Sequence, residues 1–154
     1  MKESLRQILR RHAGSLAERL ATELATRSGT RYQKLDHSVL SLRCHKLVEA
    51  LIRSALESPE HLGEYVGRVA DCRLGEGFEL EELQRALRLL EVHAWRVVAA
   101  ESSPDSLRSN LASLNTAMGF ARDELARAGQ ARAYAIAASR PAVAPERGNA
   151  STRG

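Results

Sequence analysis

The side chains of this chain that could do chemistry are few and scattered. Its histidines are His12, His37, His45, His61 and His93, and no two stand four residues apart. That spacing is how one helix face offers two nitrogens to zinc, and neither an HExxH run nor a Cys–His cluster replaces it. Cys44 and Cys72 lack the close spacing of a zinc or redox pair, so they read as free, partly buried thiols in a reducing compartment. His93, beside Leu90, Ala94 and Val97, is the one residue that a haem-sized pocket could use as an axial ligand. An edge or interface histidine is the plainer reading, and neither a cofactor nor a metal is expected.

Three further groupings invite an enzymatic reading. Glu79, Glu81 and Glu82 could supply paired carboxylates, but Glu79 and Glu82 share a helix face next to Arg85, which describes a solvated first turn. Ser38, Ser41 and His45 could be nucleophile and base, yet the polar side of an amphipathic helix produces that spacing by itself, and the sequence supplies no orienting acid. Gly75-Glu76-Gly77 is too short to cradle a phosphate and precedes an acidic helix start that repels one. No catalytic residue is expected, and the chain reads as a non-enzyme.

The net charge of +4 points toward nucleic acid until its distribution is considered. Residues 130–154 hold Arg132, Arg140, Arg147 and Arg153 against Glu146, which leaves 19 basic and 18 acidic side chains in the rest. Arg6, Arg10, Arg11 and Arg19 form the best basic patch, but no aromatic residues interleave with it to stack on bases. Nucleic-acid binding is therefore the weakest reading. The first residues lack the apolar core of a signal peptide, and no stretch is apolar enough to span a bilayer, so the expectation is a cytoplasmic protein with no membrane partner.

The elements that position these groups are helices. The composition is 44% apolar with few aromatics, and it is rich in Leu and Ala. Leu5, Ile8, Leu9, Leu16, Leu20 and Leu24 return every three or four residues and predict a first helix from about Lys2 to Thr26. Ser28, Gly29 and Thr30 end it. A second helix starts near Asp36, whose carboxylate could cap it, with Leu35 and Leu40 as a hydrophobic staple. Ser58-Pro59-Glu60 opens a third, and Gly75-Glu76-Gly77 closes it, leaving Phe78 to plug the gap before a fourth from Glu79 to Glu101. Ser103-Pro104-Asp105 opens a fifth, whose alanine-rich stretch from Ala126 to Ala138 is helical in propensity but prone to fray. The chain divides into one all-helical domain, residues 1–138, and a tail, residues 139–154, whose Pro, Gly, Ser and Arg content predicts disorder.

The stretch from Tyr32 through Glu101 resembles a known family. The signal is densest from Arg68 to Leu90, which reads Arg68-Val69-Ala70-Asp71-Cys72-Arg73-Leu74-Gly75-Glu76-Gly77-Phe78-Glu79-Leu80-Glu81-Glu82-Leu83, followed by a Leu-rich helix. It is similar to the N-terminal domain of RsbR-type co-antagonists of RsbT, the sensory component of bacterial stressosomes. The resemblance implies a globin-like fold without haem, a dimer, and a state passed on through the last helix to a STAS domain. Only sixteen residues follow Ala138, against about a hundred for a typical small domain. The report would then pass to a separate STAS-domain protein or kinase.

The fold expectation is accordingly all-α, with five or more helices in a globin-like arrangement or an orthogonal or up-down bundle. The functional expectation is a non-catalytic regulatory or sensory module acting through protein–protein contacts. Leu89, Val92 and Trp95 supplement the main stripe of the fourth helix and suggest a homodimer in which the first or fifth helix covers a second apolar strip. Tyr65, Phe78, His93 and Trp95 are the candidates for a ligand pocket or an interface. A haem-binding or small-molecule-binding sensor is the alternative.

Overall fold

A computed structural model describes residues 3–141. Among them are six helices and no strand: α1 (Leu5–Ala25), α2 (Arg31–Lys34), α3 (His37–Leu56), α4 (Glu60–Gly75), α5 (Leu80–Glu101) and α6 (Pro104–Ser139). The all-α expectation of five or more helices holds, with one helix beyond the five that periodicity delimits. α2 is the addition. Thr30 caps it by accepting from Gln33 N–H at 3.3 Å, while Gln33 Oε1 accepts from Gly29 N–H at 3.1 Å.

Side-chain chemistry decides where the helices begin. Ser4 and Gln7 form a reciprocal capping box, so α1 starts after Ser4 rather than at Lys2. At α4, Ser58 takes the Glu60 N–H and the buried Ser54 hydroxyl takes the Leu62 N–H at 2.6 Å, satisfying two of the unpaired donors of the first turn. Two expected caps are not made. Asp36 occupies the cap position of α3, but its carboxylate accepts no first-turn N–H, and only its backbone carbonyl is used, by Leu40. Ser103 turns its hydroxyl to that of Ser106 at 2.8 Å instead of to the backbone of α6.

The turn after α4 closes as its glycines require. Phe78 N–H donates to the Arg73 carbonyl and Gly77 N–H to that of Leu74, and Gly77 has φ +98, the left-handed geometry of a Schellman cap. Phe78 then enters the core, 5% exposed, with its ring centroid 4.9 Å from that of Tyr32.

The pairs that meet across helices fix their directions. His12 meets Glu101 and Glu23 meets His93, so α1 and α5 are antiparallel. Arg43 with Glu76 and Ser54 with Leu62 make α3 and α4 antiparallel as well. α5 and α6 run antiparallel, since Arg122 bonds Glu91 and Gly129 lies against Leu80. α4 and α6 are parallel and have the most extensive contact in the bundle. Leucines at the predicted periodicity fill the centre, among them Leu9, Leu20, Leu40, Leu51, Leu62, Leu90 and Leu114, all nearly inaccessible.

The alanine-rich end of α6 is helical to Ser139. Only Ala128 of this stretch enters the core. Its last buried residue is Ala128, and every residue from Gln130 to Pro141 is exposed. Most of the tail, residues 142–154, lies outside the described residues, as do Met1 and Lys2.

Two glycines should respond oppositely to alanine. A Cβ on Gly63 of α4 meets the backbone and Cβ of Phe120 at 3.1 Å, whereas one on Gly14 of α1 meets nothing within 4 Å. Gly63→Ala is expected to lower stability by about 1–3 kcal/mol through overpacking, and Gly14→Ala to raise it by about 0.5–1 kcal/mol through helix propensity. Chemical denaturation of both variants checks the signs.

The cysteines differ as sharply. Cys44 is buried, and burial pushes its thiol up to about 12, while Cys72 is exposed. A thiol reagent at pH 8 should modify one equivalent in the native protein and the second only on unfolding. Burial favours the neutral thiol, so Cys44's contribution to stability is complete below the thiol's ordinary value of 9.0 and declines as pH rises toward about 12.

Candidate functional site

The four residues singled out for a pocket do not line a common cavity. Tyr65 is half-buried and walls a small apolar cavity of about 70 Å³ with Tyr32, Leu47, Val66, Leu83 and Leu125. Burial pushes the Tyr32 and Tyr65 phenols upward, so both remain neutral donors. Phe78 is spent on the stack with Tyr32. Trp95 points outward, 46% exposed, near the equally outward Val92, whereas Leu89 packs partly against the core.

His93 is only 4% exposed and faces α1. Its Nε2 stands 2.9 Å from Glu23 Oε1, close enough for an ion pair but off the line of a hydrogen bond, and Nδ1 has no partner. The wall around it is thus a carboxylate. His93 is not among the walls of the 70 Å³ cavity, whose volume is far below the roughly 300–1,000 Å³ of typical small-molecule pockets.

The other histidines repeat the pattern. His12 Nε2 lies 3.5 Å from Glu101, His45 and His37 lie 3.1 and 3.9 Å from Glu18, and His61 lies 4.0 Å from Glu57. All but the last of these contacts join α1 to α3 or α5. Among the described residues no group of three or more His, Cys, Asp or Glu is arranged to hold a metal ion.

At Ser41 and His45 the fold supplies an acid that the sequence does not display. Glu18 of α1 accepts from the Ser41 hydroxyl at 2.7 Å and contacts His45 Nε2 at 3.1 Å through the same oxygen, Oε1. Those bonds, Ser41 first, hold the Glu18 carboxyl below the usual carboxylate range. A nucleophilic relay needs the imidazole between hydroxyl and acid, and here the acid stands between the other two. The trio ties α3 to α1 at the surface.

The acidic start of α5 is also less free than a solvated turn. Glu82 accepts from Glu79 N–H and, through its other oxygen, from Arg31 N–H, each at 2.8 Å. Arg31 Nε in turn donates to the Gly77 carbonyl at 2.5 Å. This brace fastens α2 to the turn before α5. Beside it opens a polar cavity of about 370 Å³, bounded by Glu23, Arg27, Lys34, Glu81, Arg85 and Leu89 among others.

The proposed basic patch of α1 comes apart. Arg11 pairs with Glu3 and Glu101, which raises its already high pKa, Glu3 contributing most. Arg10 and Arg19 are nine residues apart, two and a half helical turns, and therefore face opposite sides. No helix among the described residues is long and apolar enough to cross a membrane. Comparison with protein-family models, with curated proteins and with solved structures returns no match.

His93 offers a direct test of the haem alternative. Its two ring nitrogens are buried without hydrogen bonds, so an apolar replacement removes unsatisfied polarity. His93→Leu is expected to leave the melting temperature unchanged or raise it, and haem added to the wild type to give no Soret band. A band that disappears in His93→Ala would overturn this.

Proposed function

We propose that this chain is a non-catalytic regulatory module that works through protein–protein contacts and self-associates through the end of α6. One observation carries the reading. Ten helical residues, 130–139, extend about 15 Å past the last buried position of α6, exposed on every face. These last turns of α6 bury no apolar surface of their own within the described residues. Tyr134 is 67% exposed and Ile136 46% exposed, which gives that helix the apolar material for a partner.

A second copy is the partner in this reading, through pairing of the two projecting ends. The sites weighed above support regulation over catalysis. The Ser41–His45–Glu18 trio lacks relay order, and the carboxylates at the start of α5 are occupied by backbone donors. The likeness of the Arg68–Leu90 stretch to RsbR-type sensory domains supports a place in bacterial stress signalling, with a separate STAS-domain protein or kinase receiving the state. Sensing of a small molecule in the 370 Å³ polar cavity fits the same module.

Sedimentation over a concentration series tests the association. The full chain is expected to dimerise, and Tyr134→Glu with Ile136→Glu to make it monomeric while its helical content and melting temperature stay near those of the wild type. A wild type that is monomeric at every concentration would sink the self-association, as would a charged double variant that dimerises equally well.

A further inference from the structure

The antiparallel seam between α1 and α5 carries cations in pairs, one from α5 and one from α1 or the turn that follows it. Arg19 and Arg96 line a groove of about 300 Å³, floored by Leu16 and Val97. Further along the same seam, Arg27 and Arg85 line the 370 Å³ cavity with Lys34, above Leu24 and Leu89. Between the two openings sits the Glu23–His93 contact.

The local charges do not cancel, because the carboxylates are engaged and the cations are not. Glu23 faces His93, Glu101 is held by Arg11 and His12, and Glu79 and Glu82 form a capping box. Glu81 alone has no partner among the described residues. None of Arg19, Arg27, Lys34, Arg85 and Arg96 has a carboxylate within 4.0 Å there. All five are exposed.

We infer that this seam is a docking groove for an acidic amphipathic helix of a partner protein. The inference rests on reading the chain as a protein-interaction module and adds the chemistry of the partner. Arg19 lies on α1 and Arg27 in the turn two residues past its end, while Arg85 and Arg96 lie about 16 Å apart along α5. A helix with carboxylates two turns apart places one at each pair of guanidinium groups, which bind carboxylates in a fork. Its apolar face meets the partly exposed Val97 and Leu89, Leu16 and Leu24 being buried beneath them. A nucleic-acid backbone fits less well, since Glu23, Glu79, Glu81 and Glu101 interrupt the cations and the one aromatic residue lining either opening, Tyr32, is buried.

The seam includes no residue of α6, so it can be tested apart from self-association. The probe is a synthetic helical peptide with pairs of glutamates eight residues apart beside a leucine stripe, titrated into the full chain at low salt. Binding is expected, weakening as salt rises, and Arg19→Glu with Arg96→Glu, or Arg27→Glu with Arg85→Glu, should each weaken it at least about tenfold. Arg6→Glu with Arg10→Glu should change it less than about twofold, since these side chains lie off the seam. The charge-neutral versions, arginine to glutamine, guard against loss of fold, with thermal melts confirming that each variant is native. Carrying Tyr134→Glu and Ile136→Glu should leave peptide binding intact even when dimerisation is lost. The proposal is overturned if the peptide does not bind, if seam reversal leaves its affinity unchanged, or if duplex DNA binds the seam more tightly than the peptide. It is also overturned if seam reversal dissociates a dimer while the peptide fails to bind, because the occupant is then a second copy.

Discussion

The close approach of α4 to α6 sets the geometry of the bundle. Gly63 presses on the backbone of Phe120 and Gly67 on the side chain of Glu124, one turn further along both helices. Contact this near requires an α4 face of small residues, and Gly63, Gly67 and Ala70 supply it at helical spacing. Because the two helices are parallel, the sixteen residues of α4 can cover only part of the thirty-six of α6. Gly129 makes the last close contact, against Leu80 at the start of α5, and the helix then leaves the body. The projecting end follows from this register together with an alanine-rich sequence that sustains a helix while burying little area.

α1 obeys a different constraint. Eight of its residues are buried, so its position depends on apolar packing against α3 and α5, while its polar edges meet both neighbours through histidine and glutamate. Most of these contacts are solvent-exposed and contribute little to stability. Their effect is on register, since each joins a particular turn of α1 to a particular turn of α3 or α5. The His93–Glu23 contact is the exception in burial, and it separates the two openings of the α1/α5 seam.

Much of this architecture was legible because leucine periodicity reports which face of a helix is buried. The stripe of α5 from Leu83 to Val98, the glycine turn at Gly77 and the burial of Phe78 all follow from residue type and spacing. Two starts were legible but overlooked. Ser4-Leu5-Arg6-Gln7 and Thr30-Arg31-Tyr32-Gln33 share the pattern of a hydroxyl residue three before a glutamine, and each caps a helix. Other features were out of reach. No local pattern tells that Glu18 will stand between Ser41 and His45, or that Glu23 will meet His93, because each pairing depends on how two distant helices slide past one another. Tyr65, Phe78, His93 and Trp95 do not share one cavity for the same reason: aromatic character and helical spacing do not fix which side of a bundle a residue faces.

The brace at Gly77 brings these two constraints together. Arg31 reaches the Gly77 carbonyl, Glu82 holds the backbone N–H groups of both Arg31 and Glu79, and Leu80 lies against Gly129 one step further along the chain. Side chains lining the polar cavity therefore belong to the same few residues that fasten α2 to the turn and adjoin the point where α6 departs. A glycine is required at 77 by its positive φ, and a Cβ there would also displace the guanidinium of Arg31, which it would approach to 2.5 Å. An occupant of the cavity could alter the projecting helix only by favouring one of two arrangements of this brace, since equal affinity for both would shift neither population. Leu80, which follows Glu79 in the chain and lies against Gly129, is where such a change would reach α6.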